Sequence, residues 1–487
     1  MARVFLQATL LLGLLSSIVI PGISQTWMQL SPLNPPGPTA APGVYDPATN
    51  RMIVFGANNS PAYTNEVWVL TNANGLGGAA QWQKLSPIAD PVNGFPSARQ
   101  PWVAYDAVDN RLIIMDGCLG FCLPVATDQW VLSNANGLGG TPAWFKLSPI
   151  GGPPGPRVDH VMAYDSATNS LIVFGGQNGC CANQQTYGDV WVLSNANGMA
   201  GTPVWTQLNP AGGPPPGQDG VSGVYDSANN RLIVFGGFPN QSQTFTNAVW
   251  VLSNANGFGG TPVWTNIVSE GATGSPTARR FPAAVYDSSS NNMTIFGGYN
   301  GGTYFNDTWV LSNANGMGGT PVWTQLTPTG GPPAGRVLTA ATLDPASHRI
   351  TIFGGGGLSA SFNDTWLLTP SPLYSVCLLY DPTKAVRSGA TQPIKLQLCN
   401  GSGADQSSSN ITLHAVSITQ TSTSIAGPVE DSGNANPDSD FRFDLTLGTT
   451  GGYIFNLKTS GLITGTYNLN FSVTGDSFVY VAPFQVK

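Results

Sequence analysis

The sequence predicts an all-β protein, in which a β-propeller of six four-stranded sheets is followed by a β-sandwich. The first observation is that Trp-Val-Leu or a near variant recurs six times at intervals of 57 to 62 residues. The second is that each interval holds four short runs rich in β-branched and aromatic residues, separated by Gly, Pro, Asn or Asp, which is typical of strands and turns. The third is the composition, with 60 Gly, 39 Pro and only 9% charged residues, as in turn-rich β proteins.

We name the four runs of each copy A, B, C and D. In the third copy they are residues 161–165, 171–176, 190–193 and 205–208. The B runs are apolar without alternation, a pattern of strands that are buried on both faces. Sheets stacked between two neighbours and repeated around an axis form a propeller.

The D runs indicate how the ring closes. The first D run precedes the first A run. The six D runs each contain one Trp, at Trp27, Trp82, Trp144, Trp205, Trp264 and Trp323. No D run follows the last C run, at Trp366. We therefore predict that residues 27–30 supply the outer strand of the sixth sheet, which would cover an edge that otherwise invites aggregation.

Several short motifs resemble the kelch repeat. Phe-Gly-Gly ends most B runs, Asn306-Asp-Thr-Trp309 opens a C run, Trp-x-x-Leu forms the D runs, and Arg157-x-x-His160 opens an A run. The resemblance covers about 345 residues, although the second copy has Met115-Asp-Gly for Phe-Gly-Gly. It implies a six-bladed kelch-like β-propeller of the secreted bacterial type.

The termini predict an exported protein with a second domain. Arg3 precedes an apolar run that ends near small residues, as in a secretory signal peptide. The expected domains are a signal peptide at 1–24, the propeller at 25–370 and an immunoglobulin-like sandwich at 371–487. Seven short runs, several of them alternating, suggest the sandwich, and residues 389–396 and 465–471 resemble PxKF-type accessory domains. The expected location is secreted or periplasmic.

Six cysteines in an exported chain favour disulfides over metal ligands. Cys377 and Cys399 lie on the first two runs of the C-terminal domain and are expected to pair. The other four candidates lie in two propeller loops, and their pairing is left open by the sequence: Cys118, Cys122, Cys180 and Cys181.

Composition also excludes some partners. With a net charge of −7 and no basic cluster, the chain does not suit nucleic acid. No segment after the signal peptide reaches the roughly 20 apolar residues of a membrane span.

Successive connections of an antiparallel sheet alternate between its two ends, so the B–C and D–A loops share one face. The opposite face carries five nearly constant Asn-Ala-Asn-Gly turns, which we interpret as structural because Asn and Gly accept turn conformations. The variable loop face carries aromatic residues among neutral amides, which suit a carbohydrate or a protein ligand. The candidate binding residues there are Tyr63, Phe121, Tyr187, Phe245, Tyr299 and Tyr304.

Four arginines begin A runs near the same face: Arg99, Arg157, Arg279 and Arg336. They suit bidentate binding of a ligand carboxylate. In kelch repeats, arginines at this place also tie one blade to the next, and we favour that structural role.

The sequence lacks residues that the enzymatic interpretations would require. A sugar oxidase of the kelch type holds copper partly by two histidines, and no two of the three histidines in this chain are expected to meet in one propeller site. A mutarotase needs an acid–base residue, and the chain has only three glutamates. The remaining catalytic candidates are Asp159, His160 and Asp219. We therefore predict a binding or structural protein with no cofactor and no metal. The alternative is a carbohydrate-active enzyme, like a sugar oxidase or a sialic acid mutarotase, at the channel mouth.

Overall fold

The computed structural model divides the chain into two compact units, Gln25–Pro370 and a second unit of Met1–Ser24 with Ser371–Lys487. Within the residues described, one short 3-10 turn, Pro437–Ser439, is the sole helical element, and no helix is long and apolar enough to cross a membrane. The described residues are 18–19, 25–56, 58–59, 62–120, 124–179, 185–213, 215–239, 244–359, 361–370, 374–400, 403–422, 426–432, 437–448, 450–474 and 476–487.

The first unit contains six four-stranded antiparallel sheets, numbered here in chain order, with strands A to D running from one edge to the other. The first three sheets are Gly43–Asp46, Arg51–Phe55, Val67–Thr71 and Gln81–Lys84; Gln100–Asp106, Arg111–Cys118, Gln129–Ser133 and Ala143–Lys146; and Val161–Asp165, Ser170–Phe174, Val190–Ser194 and Val204–Leu208. The last three are Ser222–Asp226, Arg231–Phe235, Val249–Ser253 and Val263–Val268; Ala283–Asp287, Asn292–Phe296, Thr308–Ser312 and Val322–Leu326; and Ala340–Asp344, Arg349–Phe353, Thr365–Thr369 and Thr26–Leu30. A small hairpin, Asn58–Asn59 with Ala62–Tyr63, lies in the B–C loop of sheet 1.

The A strands are the inner strands of the arrangement. Each contacts the A strands of the sheets before and after it, and that of sheet 6 contacts that of sheet 1. Sheet 6 takes its outer strand from the N-terminal side, because Thr26–Leu30 pairs antiparallel with Thr365–Thr369. The pairing predicted for the N-terminal strand is therefore present.

Neighbouring sheets pack through their buried B strands and through the Trp of each D strand. The B strands are buried on both sides, as their unalternating sequences predict, and Leu171 to Phe174 are fully inaccessible. The buried D-strand Trp of a sheet packs against the B-strand Phe of the preceding sheet, as Trp264 does on Phe174 with ring centroids 4.9 Å apart. In sheet 2 Met115 stands in place of that Phe, and it packs in the same cluster as Trp205.

The Asn-Ala-Asn-Gly turns join neighbouring sheets. In each, the second Asn donates a side-chain hydrogen bond to the Asp that ends strand A of the preceding sheet. The five bonds are 2.6 to 2.9 Å long and join Asn74 to Asp344, Asn136 to Asp46, Asn197 to Asp106, Asn256 to Asp165 and Asn315 to Asp226. Sheet 6 has no such turn, and His348 Nδ1 lies 2.9 Å from Asp287 Oδ2 instead. The constant turns thus tie sheet to sheet.

The second unit contains two antiparallel sheets around one apolar core. One is built from Ile18–Val19, Ser375–Leu378, Thr391–Cys399, Gly452–Lys458 and Arg442–Asp444, and the other from Ala426–Gly427, Leu413–Gln420, Gly465–Val473 and Asp476–Val486. The predicted disulfide between Cys377 and Cys399 is confirmed, and it joins the first two of the expected strands.

Candidate functional site

Backbone pairing places the D–A and B–C connections on one face, here called the loop face. In sheets 3 to 6, the residue three places before strand A pairs antiparallel with the residue three places after strand B of the same sheet. In sheet 5, Arg280 and Tyr299 exchange two hydrogen bonds of 2.9 Å, and in sheet 4 Asp219 and Phe238 pair in the same way. This register brings side chains from neighbouring sheets together at the mouth of the central channel.

An aromatic cluster lies where sheets 4 and 5 meet on the loop face, and we define it as Phe238, Phe245, Tyr299 and Tyr304. Successive ring centroids are 4.9, 6.3 and 4.7 Å apart. The four side chains are partly exposed. Three of the predicted binding residues, Phe245, Tyr299 and Tyr304, are therefore brought into one surface.

Arg280 lies beside this aromatic cluster. Its guanidinium carbon is 5.7 Å from the ring centroid of Phe238 and 6.0 Å from that of Phe245. One of its nitrogens donates to Asp219 Oδ2 over 2.8 Å, while its side chain stays 30% exposed. Close approach of the sheets requires Gly220 (φ +62), because a Cβ there would lie 2.9 Å from Arg280 Cβ.

Two carboxyl groups flank Arg280 at the channel mouth. Burial raises the pKa of Asp219, while Arg280 opposes that shift. Burial, and then the negative charge of Asp219, raise the pKa of Asp159 to about 7, although Gln177 donates a 2.8 Å hydrogen bond to it. The channel mouth therefore holds the Asp219–Arg280 ion pair and a second carboxyl, Asp159, whose pKa is raised by burial and by the charge of Asp219.

The four predicted arginines are buried and bound within their own sheets. Each guanidinium pairs with the carboxylate that precedes strand C, in the pairs Arg99–Asp128, Arg157–Asp189, Arg279–Asp307 and Arg336–Asp364. Each also donates to a backbone carbonyl at the end of strand B, which belongs to Asp116 within the strand in sheet 2 and to the glycine directly after the strand in sheets 3, 5 and 6. The same carboxylates accept from a Trp indole. At 0 to 1% exposure, their charges are used inside the protein.

Other predicted residues lie apart from the aromatic cluster. Tyr187 covers Arg157, whose guanidinium carbon is 4.4 Å from the ring centroid. Tyr63 lies in the hairpin of the sheet 1 B–C loop and donates a hydrogen bond to Gln100 Oε1 over 3.4 Å. Burial, and then the charge of Asp159, raise the pKa of Tyr63. Phe121 lies outside the described residues.

The loop cysteines are only partly described. Cys118 is disulfide-bonded, while Cys122, Cys180 and Cys181 lie outside the described residues, so the pairing stays open. Within the described part of the chain, no group of three His, Cys, Asp or Glu side chains is arranged to hold a metal ion.

The catalytic candidates do not form one hydrogen-bonded group. His160 is 1% exposed, and neither ring nitrogen has a hydrogen-bond partner. Its ring packs against Trp102 with centroids 5.0 Å apart. Asp159 instead accepts from Gln177, and Asp219 pairs with Arg280.

Sequence reasoning missed Arg280 and selected its neighbour Arg279. The available signal was register, because Arg280 occupies the place in sheet 5 that Asp219 occupies in sheet 4. Opposite charges at equivalent places in adjacent sheets can meet at the interface. Gln177 was missed as a single residue, although its loop was identified as variable.

Parts of this chain are similar in sequence to two much longer known proteins. The chain is 27% identical over 271 residues to the dynein alpha chain of the flagellar outer arm from Chlamydomonas reinhardtii, covering 53% of this chain and 5% of that protein. It is 28% identical over 227 residues to the serine/threonine-protein phosphatase BSL2 from Arabidopsis thaliana, covering 46% and 19%. The chain thus spans less than a fifth of either relative.

A family model gives the assignment. The KLHDC2/KLHL20/DRC7 Kelch-repeats domain matches residues 102–253 and 200–374. Together these ranges cover 102–374, which is more than half of the 487-residue chain. The chain belongs to the kelch-repeat family.

Proposed function

We propose that this protein is an exported, six-bladed kelch β-propeller that binds a protein partner through the aromatic cluster and Arg280. The six sheets would be the blades, closed by the strand Thr26–Leu30. The second unit would be an immunoglobulin-like accessory module of the PxKF type, and residues 1–24 a signal peptide. The protein would then act in the periplasm or outside the cell.

The observation that carries the proposal is a partly exposed aromatic surface beside an arginine that is already held in place. Aromatic residues and Arg dominate the binding energy of protein interfaces. Asp219 orients Arg280 before any partner arrives, so less side-chain entropy is lost on binding. Kelch-family membership supports a protein-binding propeller.

A carbohydrate is the second candidate ligand. Asn300 is partly exposed and lies between Tyr299 and Tyr304 in the sequence, and its side-chain oxygen accepts from the backbone of Gly302 and Thr303. This leaves an amide beside two aromatic rings, an arrangement that suits a sugar ring with hydroxyl groups. The same variants test both ligands.

Peptide-library selection on the full chain tests the protein-binding proposal. Peptides enriched on the wild type would be titrated against Phe245→Ala, Tyr299→Ala and, as a matched aromatic control, Phe258→Ala. Phe258 is 55% exposed and follows the Asn-Ala-Asn-Gly turn on the opposite face. We expect Kd to rise at least tenfold for the first two variants and to stay unchanged for the control.

Two outcomes count against it. Peptides that bind all three variants equally would place recognition elsewhere. Failure to select any peptide, together with cluster-dependent binding on a glycan array, would favour the carbohydrate ligand.

A further inference from the structure

Sheet 4 lacks an interaction that is present in the other five sheets. In those sheets the Trp at the second place of strand C donates its indole hydrogen, over 2.7 to 2.9 Å, to the acidic residue that precedes the strand. The pairs are Trp68–Glu66, Trp130–Asp128, Trp191–Asp189, Trp309–Asp307 and Trp366–Asp364. In sheet 4 Ala248 stands where the acid would be. Gln218, four residues before strand A, stands where sheets 3, 5 and 6 have the arginine that pairs with this acid.

A cavity occupies this place in sheet 4. It has a volume of about 340 Å³, which is within the range of small-molecule sites, about 300 to 1,000 Å³. Strand D is irregular beside it, since Val249 pairs with Val268 while the next residue, Trp250, pairs with Asn266. The lining residues that matter here are Gln218, Thr246, Ala248, Trp250, Asn266 and Glu270. The cavity therefore lies where the missing acidic side chain would project.

The Trp250 indole supplies a hydrogen-bond donor to this cavity. The side chain is partly exposed, and its Nε1 is accessible, unlike the enclosed indole nitrogens of Trp205 and Trp264 in strands D. Among the described residues, this nitrogen has no hydrogen-bond partner. An indole N–H is a donor only, so the group that occupies the place of the missing carboxylate must be an acceptor.

The charges of the lining favour a neutral acceptor. None of the described lining residues is basic, and Glu270 is an exposed acid at the edge of the cavity. A ligand carboxylate would be desolvated there without a cation beside it, which is costly. A primary carboxamide is neutral. Its oxygen can accept from Trp250, and its NH₂ group can donate to Glu270.

We propose that this cavity binds a small molecule that carries a primary carboxamide, whose oxygen takes the place of the carboxylate found in the other five sheets. The site lies at strands C and D of sheet 4. It goes beyond the partner-binding surface, because it uses neither the aromatic cluster nor Arg280.

The test is calorimetric titration of the full chain with benzamide and, separately, with benzoate. We expect benzamide to saturate one site per chain. Benzoate should bind at least about tenfold more weakly, because its charge would be desolvated without a cation. Trp250→Phe should weaken benzamide binding about threefold to tenfold, the value of one hydrogen bond. Trp191→Phe is the matched control and should leave the affinity unchanged, since that indole already donates to Asp189.

Ala248→Asp tests the origin of the site, because it supplies the acid that the other sheets have. Trp250 should then donate to that carboxylate, and benzamide binding should be lost. If Ala248→Asp does not fold, Ala248→Leu, which fills the cavity with an apolar side chain, should abolish binding in its place. Absence of saturable benzamide binding to the wild type would overturn the proposal. So would benzoate that binds as tightly as benzamide, or benzamide affinity that Trp250→Phe and the Ala248 variant leave unchanged.

Discussion

Replacing one turn amide by a carboxylate tests whether the Asn-Ala-Asn-Gly turns tie the sheets together. In the variant Asn256→Asp, the side chain keeps its size and its Oδ1 acceptor, which receives hydrogen bonds from Asn230 Nδ2 and the backbone of Phe258. The donor that met Asp165 Oδ2 at 2.7 Å becomes a second oxygen. Two buried carboxylates would then face each other across the seam between sheets 3 and 4.

The cost at neutral pH follows from the geometry. Two unit charges 2.7 Å apart repel by about 6 kcal/mol at an effective dielectric constant near 20. Protonating one carboxyl relieves this and restores a donor, at a cost of about 4 kcal/mol at pH 7 for a group whose unfolded pKa is about 3.9. Protonation costs less than the repulsion between two charged carboxylates, so one carboxyl is protonated in the folded state. We therefore expect a loss of about 3 to 4 kcal/mol in the free energy of unfolding.

The sign of the pH dependence distinguishes this mechanism. The shared proton raises the folded-state pKa of the pair above the unfolded value. The pair is therefore tolerated below about pH 3.9 and becomes destabilising as the pH rises toward the raised folded pKa. We expect the difference between Asn256→Asp and wild type to shrink below about 1 kcal/mol near pH 4.

Urea unfolding at pH 4 and pH 7 measures both values. The control is Asn254→Asp in the same turn, because the Asn254 amide donates only to the Thr261 carbonyl in an exposed position. It should lose less than about 1 kcal/mol at either pH, the range of an exposed hydrogen bond. Equal destabilisation by Asn256→Asp at the two pH values would refute the carboxylate-pair reasoning.

Three further changes test other parts of the structure. Trp27→Ala removes a side chain that is 2% exposed and packs on Phe296, so it should cost about 3 to 5 kcal/mol and promote association, measured by thermal unfolding and light scattering. Arg157→Met leaves the Asp189 carboxylate without its cationic partner and should cost about 3 to 5 kcal/mol, whereas Lys146→Met, which removes a more exposed cation from a 3.9 Å pair, should cost less than about 1 kcal/mol. Cys399→Ser opens a loop of 22 residues and should lower the unfolding free energy of the C-terminal unit by roughly 3 kcal/mol. Reducing agent should destabilise the wild type by the same amount and leave the variant unchanged.

The repeat architecture was predictable because its signals are local and repeated six times. Strand type follows from β-branched runs between turn residues, and the outer strand of sheet 6 follows from counting D runs. The disulfide between Cys377 and Cys399 was predictable because both residues lie on adjacent strands of one small unit. None of these inferences required knowledge of how one side chain points.

The site was less predictable because it depends on side-chain direction. Arg279 and Arg280 are adjacent in sequence, yet Arg279 is buried beneath Phe305 while Arg280 is partly exposed. Likewise Asp159 and His160 are neighbours, but Asp159 has φ +61, and the two side chains have different surroundings. Adjacent residues point to opposite sides where the chain is extended, as it is at Arg280, which pairs with Tyr299. At Asp159 the left-handed backbone breaks that alternation, and in both places only the tertiary structure decides which side chain faces solvent.

The two faces differ in variability because they are joined by different chemical groups. On the turn face the sheets are joined through side chains: Asn256 must donate to Asp165 and accept from Asn230 at once, and an amide is suited to both. On the loop face, apart from the Arg280–Asp219 ion pair, the sheets are joined mainly through the backbone, where Gly237 N donates to Arg279 O and Gly298 N to Arg336 O, each over 2.9 Å. Backbone bonds leave loop side chains free to differ from sheet to sheet without opening the ring. The variable loop face can therefore specialise in recognition while the constant turn face maintains the fold.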